Sequence, residues 1–355
     1  MNEEGLKTLV SLAEFEGTDP FEFISSARCG SRKMQLFKVL FTNFCEKNCL
    51  YCANRRDRDV KRFSFTPESL AKTFYELYTK GYVEGIFISS GIHQNSLKTM
   101  EKILDTAEIL RKRYKYNGFM HLKLLPGVDS SSIEKAIDIA DRVSINLEAP
   151  SHQRLLEIAG EKKFNGLFNV LKKSHEIRLK KEKRTGICTQ FVVGASGESD
   201  FEIIKTTFLL RKAFQLQRVY YSAFYPVPQT PLENLKMVSK RREFRLYQAF
   251  YLIKNYALKP DDFLFENGFL REDIDPKEGV FKKIFRGELI EVNRAPLEVL
   301  TFVPGIGMKT AKRILEIRKY GKIKNVNLLF KIGVSKKSLE YLLIDGKNYA
   351  TKSLF

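Results

Sequence analysis

From residue 36 onward, short apolar runs alternate with stretches whose apolar residues recur every three or four positions. The runs are LFKVLFT (36–42), GIFISS (85–90), FMHLKLL (119–125), RVSINLE (142–148), GICTQFVV (186–193) and RVYYSAF (218–224). Each is short, rich in β-formers and bounded by turn or polar residues, the pattern of a strand. The stretches between them read as helices. TPESLAKTFYELYTKG opens on Thr66 as an N-cap, continues with Pro67 and Glu68, and closes at Gly81. Leu97, Met100, Ile103, Leu104, Ala107 and Leu110 form one apolar stripe. Six successive βα units predict parallel strands joined by crossover helices. An open doubly wound sheet and a barrel both satisfy that pattern. In either, chemistry belongs at the C-terminal ends of the strands.

Four segments are expected: an N-terminal helical cover (1–35), the βα array (36–258), a connecting segment rich in Asp, Pro and Gly (259–290), and a small helical domain (291–355).

Charge narrows the partners. Sixty-one Lys and Arg against 42 Asp and Glu leave a net charge of +19. Such an excess favours a polyanion, with nucleic acid first, because neutralised phosphates release counterions. An anionic membrane surface would satisfy charge alone, but no run of about eighteen apolar residues is present. The opening MNEEGLKTLVSLAEFEG is acidic and does not read as a signal peptide. Five cysteines, an odd number in so long a chain, do not suggest a disulfide framework. A reducing cytoplasm is the simplest compartment.

Three of those cysteines, Cys45, Cys49 and Cys52, fall within eight positions directly after the first strand. A zinc site would need a fourth ligand from His93, Cys29 or Cys188, none of which sits in a second close pair. A redox pair of Cys49 and Cys52 leaves Cys45 unexplained. Three thiolates also suit an iron–sulfur cluster with one non-cysteine position.

The C-terminal stretch NRAPLEVLTFVPGIGMKTAKRILEIRKYG places two short helices around Pro304-Gly305-Ile306-Gly307. Glycines there permit positive φ, and backbone N–H groups at the next helix's start form an anion nest. Lys309, Thr310, Lys312 and Arg313 follow. The segment resembles a helix-hairpin-helix, which grips nucleic-acid backbone without reading bases. VNLLFKIGVSKKSLEYLL resembles a second copy, with Lys331 in place of the first glycine, so it is expected mainly to pack against the first. Two basic stretches, 54–62 (NRRDRDVKR) and 171–184, are candidates to extend the footprint.

The Cys45-x3-Cys49-x-Tyr51-Cys52 pattern after strand one of a βα array resembles the radical S-adenosylmethionine (SAM) enzymes. Ser89-Ser90-Gly91 stands where that family usually has Gly-Gly-Glu. Residues 144–148 and 191–198 match its later strand ends. With the hairpins, the chain resembles DNA modification or repair radical SAM proteins with a C-terminal helix-hairpin-helix domain. The resemblance favours a barrel over an open sheet. It implies a partial (β/α)6 TIM-type barrel followed by a small all-α tandem helix-hairpin-helix domain. The implied cofactors are a [4Fe–4S] cluster, held by Cys45, Cys49 and Cys52, and SAM, whose reductive cleavage yields a 5′-deoxyadenosyl radical.

On the same basis Tyr51 lies near adenine, and Ser89, Ser90 and Gly91 meet the SAM amine. Asn146 and Glu148 contact ribose or amine, Val193 and Gly194 border adenine, and Arg154 is a candidate for the SAM carboxylate. A reductant such as flavodoxin or ferredoxin is implied, and a glycosylase-type partner is hinted at. His121 and Lys123 alternate on strand three and share a face. Together with Tyr221 they are the catalytic candidates. Gly305, Ile306, Gly307, Lys309, Thr310 and Lys312 are expected to meet nucleic acid. The resulting expectation is a radical SAM enzyme that modifies or repairs a nucleotide in DNA. The rivals are the same chemistry on tRNA or other RNA, a non-catalytic metal-containing DNA-binding protein, and an enzyme that modifies protein.

Overall fold

The computed structural model describes residues 3–11, 25–29 and 32–350. They form two compact units, 1–243 and 244–355. In the first, helix α1 (Glu3–Ser11) precedes strands β1 (Ser25–Cys29), β2 (Arg32–Leu40), β3 (Gly85–Ser89), β4 (Phe119–Lys123), β5 (Arg142–Ser144), β6 (Gly186–Val193) and β7 (Arg218–Ala223). The strands hydrogen-bond in simple chain order. β2 to β7 are all parallel, a curled half-barrel of six strands. The helices around it are α2 (Pro67–Thr79), α3 (Ser96–Glu108), α4 (Ser130–Ile139), α5 (His152–Ala159), α6 (Phe164–Lys180) and α7 (Asp200–Phe214). Helix α2 begins as its sequence predicts, with Thr66 and Ser69 capping each other.

The expected N-terminal helical cover needs correction. β1 pairs antiparallel with β2 and adds a seventh strand, in register Ser25↔Leu36 to Cys29↔Arg32. The extra strand requires β2 to start at Arg32, four residues before its apolar run. Residues 1–2, 12–24 and 30–31 of that cover lie outside the described residues. β5 is also shorter than its run. The chain leaves the ladder after Ser144, and Glu148 takes φ +66°.

The strands separate their two faces by parity. Phe37, Val39, Ile86, Ile88, Met120, Leu122, Val143, Phe191, Val193, Val219 and Tyr221 are all fully buried on the helix-packed face. The opposite parity carries Lys38, Phe87, His121, Lys123, Arg142, Ser144, Gln190 and Tyr220, and this face lines the lumen.

The second unit takes most of α8 (Lys240–Tyr256), the short ladder β8 (Phe265–Glu266) with β9 (Phe269–Leu270), and α9 (Pro276–Phe285). Next come β10 (Ile290–Glu291), α10 (Leu297–Phe302), α11 (Met308–Arg318), α12 (Val326–Lys331), a 3-10 turn at Lys336–Tyr341, and β11 (Leu342–Leu343), parallel to β10. The segment expected as a connector belongs to this unit, because Phe281 of α9 lies in the same core as Leu300, Ile306, Ile314 and Leu339.

Candidate active site and candidate nucleic-acid interface

The chain leaves β2 at Leu40 and runs over the strand ends as the cysteine loop. The loop has no regular ladder, so its backbone groups find other partners. Glu46 N–H donates to Ile92 O (2.9 Å), Leu50 N–H to Ile158 O (2.8 Å) and Cys52 N–H to Cys49 O (3.2 Å). Gly91 N–H donates to Thr42 O (2.8 Å). A Cβ on Gly91 would stand 2.1 Å from Phe44 O, so this position accepts only glycine while the loop lies where it does.

One side chain organises the rest of the loop. Arg62 donates to the carbonyls of Asn43 (2.6 Å), Asn54 (3.0 Å), Arg55 (2.7 Å) and Arg58 (2.9 Å). Arg58 donates to Ala53 O and Pro228 O, both at 3.0 Å, and Arg56 to Glu46 O at 3.1 Å. The basic stretch expected to extend a nucleic-acid footprint is thus largely the frame of the cysteine loop. Guanidinium groups suit that role because each offers five donors to a carbonyl-rich irregular chain. The 171–184 stretch lies mostly on α6, and just past its end Lys181 pairs with Glu134 (2.9 Å) and Asp138 (2.5 Å).

Cys49 is buried, Cys45 and Cys52 are half-buried, and none is in a disulfide. Cys45 adds to the cost of ionising both Cys49 and Cys52, and Cys49 to that of Cys52. Burial pushes the Cys49 thiol up and the Cys52 thiol up to about 12, with Cys49 adding to the latter. Beside them lies a carboxylate–ammonium pair, Glu148 Oε1 to Lys162 Nζ at 2.7 Å. Burial opposes charge on both, but Glu148, joined by Cys49 once that thiol ionises, keeps Lys162 protonated, and Lys162 with Lys123 keeps Glu148 ionised. The Tyr51 hydroxyl bonds Glu148; burial first, then that carboxylate, holds its pKa well above the usual phenol value. Asn146 Nδ2 reaches Glu148 Oε2 (3.4 Å) and Gln190 Oε1 (3.2 Å), and Gln190 Nε2 donates to Ser222 Oγ (2.6 Å). Tyr51, Asn146 and Glu148 are therefore brought together around the cysteines. Lys162, Arg62, Gln190 and Ser222 join them, although no sequence motif marks any of the four.

Ser89 is buried and its carbonyl accepts from Phe41 N–H (2.8 Å). Among the described residues Ser90 Oγ is buried with no partner. A buried hydroxyl without a partner is costly, and its position at the β3 end suits a ligand's donor.

Three expected cofactor contacts and one catalytic candidate change. Val193 shares the helix-packed face with Phe191 and Tyr221, so only its backbone faces the strand end. Tyr221 is fully buried with its hydroxyl 3.0 Å from Thr207 on α7, a core position on the wrong face for the lumen. Gly194, at φ +87°, packs its Cα against Val238, and its N–H is held by the Glu198 carboxylate. Arg154 is committed to Glu202 (2.9 and 3.2 Å) and Ser196 O (2.8 Å), so it is not free for a carboxylate of SAM. His121 faces the lumen, stacked on Phe87 (4.3 Å) with Nε2 2.8 Å from Ser144 Oγ. Burial, followed by Arg142, Lys123 and Lys38, holds it well below the usual histidine range and hence neutral.

Residues 39–210 match the Radical SAM superfamily, and residues 286–342 match the Helix-hairpin-helix motif. The chain carries a radical SAM domain. It has a helix-hairpin-helix domain at its C-terminus. Members of the radical SAM superfamily bind a [4Fe–4S] cluster and SAM and cleave SAM reductively, which requires a reductant. Solved structures share the fold. Methylornithine synthase (PylB) is 16% identical over 72% of this chain and 69% of its own, at a TM-score of 0.51. The FeFe-hydrogenase maturase HydG from Carboxydothermus hydrogenoformans is 16% identical over 89% and 80%, at 0.50. No curated protein matches the chain.

The donor set fits the radical SAM cofactors. A zinc ion would draw thiolates to about 3.8 Å from one another, given Zn–S bonds of ~2.3 Å. Among the described residues no three His, Cys, Asp or Glu make such a group. A cubane asks something different, because each thiolate takes its own iron and the sulfurs stand wider apart. Cys45, Cys49 and Cys52 on one loop, with the Ser90 hydroxyl unpartnered among the described residues at the adjacent strand end, supply three thiols and one further polar group for it.

In the second unit, α10 and α11 flank the turn 303–307. Gly305 takes φ +81°, and a Cβ there would meet Ser338 Oγ at 2.3 Å and Ser335 Oγ at 2.6 Å. Gly307 has open space around it and caps α11 with no side-chain partner, so the helix's first N–H groups face outward. Lys309 and Lys312 are exposed beside it, while Thr310 is half-buried toward Gly333. Ile306 is corrected from contact to core. Its side chain is fully buried and its N–H donates to Val303 O (3.0 Å). The second hairpin consumes its own turn donors: Ile332, Gly333 and Val334 N–H bond Leu328, Phe330 and Leu329 carbonyls, and Ser335 caps the turn that follows. No helix among the described residues is long and apolar enough to cross a membrane.

Proposed function

We propose that this radical SAM enzyme acts on nucleic acid, with duplex DNA as its partner, and modifies or repairs a nucleotide there. Supporting this reading is one chain that joins a radical SAM domain to a hairpin whose uncapped helix start lies beside exposed Lys309 and Lys312. Backbone N–H groups and lysines of that kind hold phosphates without reading bases. From Glu291 to Phe355 there are 13 Lys and Arg against 5 Asp and Glu, 13 − 5 = +8, which suits a polyanion better than a protein partner.

In this proposal Cys45, Cys49 and Cys52 hold a [4Fe–4S] cluster. That group, with SAM, supplies a radical able to take hydrogen from an unactivated carbon. Ser90 accepts from the SAM amine. Asn146, Glu148 and Tyr51 form the polar wall that orients the ligand, with Lys162 fixing the charge of Glu148. Arg62 holds the loop in shape. Flavodoxin or ferredoxin serves as electron donor, and a glycosylase-type partner belongs to the same proposal as the step that would complete repair.

The test uses full-length protein reconstituted anaerobically with iron and sulfide. Dithionite and SAM should yield 5′-deoxyadenosine. Binding to duplex DNA should exceed binding to structured RNA at fixed salt and fall steeply as salt rises. Preference for RNA would replace DNA as the substrate class, and a well-loaded protein that yields no 5′-deoxyadenosine would sink the proposal.

A further inference from the structure

We propose that the lumen face of the half-barrel is a phosphate site, in which Lys38, Lys123 and Arg142 receive a phosphate group carried by the substrate beside the Phe87–His121 ring pair. The inference rests on the reading of the strand ends as the reaction site and deepens it by naming what the substrate carries.

The ladder register places these residues together. Lys38 pairs with Phe87, Phe87 with His121, and His121 with Arg142, so four consecutive strands contribute one level of side chains. Lys123 pairs with Ser144 one level nearer the strand ends. Partners in a parallel ladder project to the same face. The intervening residues, Phe37, Ile86, Met120, Leu122 and Val143, are fully buried under the helices. The cations therefore face the lumen, where each stays half-buried rather than sealed.

Charge at these levels is unbalanced. The carboxylate of Glu148 at the rim has Lys162 as its partner. Arg142 donates to two neutral groups, Gln217 Oε1 and Tyr220 OH, both at 2.9 Å. Lys38 and Lys123 have no hydrogen bond or ion pair among the described residues. Lys123 also feels the Glu148 carboxylate, but that one anion is already ion-paired with Lys162, so the three further cations make a site that a second anion improves. A phosphate fits better than a carboxylate, because its oxygens can meet cations arriving from different strands and levels. The rings of Phe87 and His121, stacked face to face 4.3 Å apart, add an aromatic edge beside the charge. His121 stays neutral there, with its Nε2 turned to Ser144 (2.8 Å). A nucleotide presents the matching pair of features, a flat base and a phosphate. Lys38 lies two residues below the end of β2 at Leu40, roughly 7 Å down the wall. A terminal phosphate monoester reaches that depth more readily than a diester with chain on both sides.

Amine-acylation footprinting of the reconstituted full-length protein, read by mass spectrometry at Lys38 and Lys123, tests this without a variant. The probes are 5′-dAMP, deoxyadenosine, and an oligonucleotide without terminal phosphates, at fixed ionic strength. With 5′-dAMP, acylation of both lysines should slow at least fivefold; deoxyadenosine should have no effect. Protection by the oligonucleotide as well would assign an internal diester as the source, and protection by 5′-dAMP alone a terminal monoester. Acylation of Lys309 and Lys312 reports the hairpin separately. Unchanged rates with 5′-dAMP, or equal protection by deoxyadenosine, overturn the proposal. Lys38→Gln and Lys123→Gln should each weaken 5′-dAMP binding about tenfold with unchanged melting temperature. The same wild-type preparation is assayed for 5′-deoxyadenosine. Product without lysine protection removes the phosphate site and keeps the radical SAM reading, while protection without product does the reverse.

Discussion

Lys162 Nζ lies 2.7 Å from Glu148 Oε1, with side chains 13% and 5% exposed, beside the three cysteines. Removing one partner of a buried pair leaves an uncompensated charge, at a cost of about 3–5 kcal/mol. Lys162→Met should therefore lower the first unit's stability by roughly that amount in urea unfolding. Glu148→Gln combined with Lys162→Met should cost less than Lys162→Met alone. If the double variant is as unstable as the sum of the two singles, the pair is not coupled as described.

The cysteines carry a pH prediction. Burial raises the Cys49 thiol and takes Cys52 up to about 12, so both are protonated at neutral pH in the metal-free chain. Iron binds thiolates, so loading must release protons and is favoured as pH rises. Reconstitution should go further at pH 9 than at pH 7, with proton uptake by a pH-stat absent and release present. Replacement of Cys45, Cys49 or Cys52 by Ala should abolish both iron retention and SAM cleavage, while DNA affinity stays within twofold.

The two hairpin glycines should behave differently. At Gly307 there is room for a side chain, and φ is −91°. Gly307→Val should fold normally yet block phosphate approach to the α11 start, weakening DNA binding about tenfold. At Gly305, φ is +81° and the space is filled by Ser335 and Ser338, so Gly305→Val should unfold the unit. Circular dichroism with a binding isotherm separates the two. Unchanged affinity in a folded Gly307→Val protein would remove the hairpin as the anchor.

Glu278 ties the hairpins to α9. Burial works against its charge, but hydrogen bonds from Lys282 and Lys337, both at 2.8 Å, lower its pKa to about 2 from 4.5. A depressed carboxyl pKa stabilises above its unfolded value and is lost as pH falls through the folded one. The second unit should thus lose stability between about pH 4.5 and about pH 2. Glu278→Gln should remove about 1–2 kcal/mol at pH 7, after allowance for solvent screening of the exposed lysines. Its acid-unfolding profile should then be flatter over that range than the wild type's.

Arg62→Ala should leave four loop carbonyls short of a donor and reduce iron occupancy at unchanged DNA affinity. Arg62→Lys, with three donors on a point charge, should recover only part of the loss. Iron content per chain measures both.

Most of the scaffold was legible because periodicity alone separates strands from crossover helices. The six runs lie within a few residues of β2 to β7. The misses share a cause. β1 carries an SSARC segment that has no period to read, and it becomes a strand only because β2 offers it an edge. Tyr221 and Val193 lie in correctly placed strands, yet which parity faces the helices is settled by packing. Ile306 sits in a readable motif, but its place in the core depends on the second hairpin and α9.

By itself the sequence determined the chemistry on offer: three clustered thiols after a first strand, serines at the next strand end, and a glycine turn followed by lysines. Those signals are local, because spacing of a few residues limits what a loop can gather. Only the tertiary structure decided the partners. Lys162, 14 residues beyond Glu148, and Arg62, 19 beyond Asn43, enter the site through loop paths that no periodicity encodes. The reason is physical: a buried charge or carbonyl must be matched by whatever group the fold brings within reach, and that reach is measured through space.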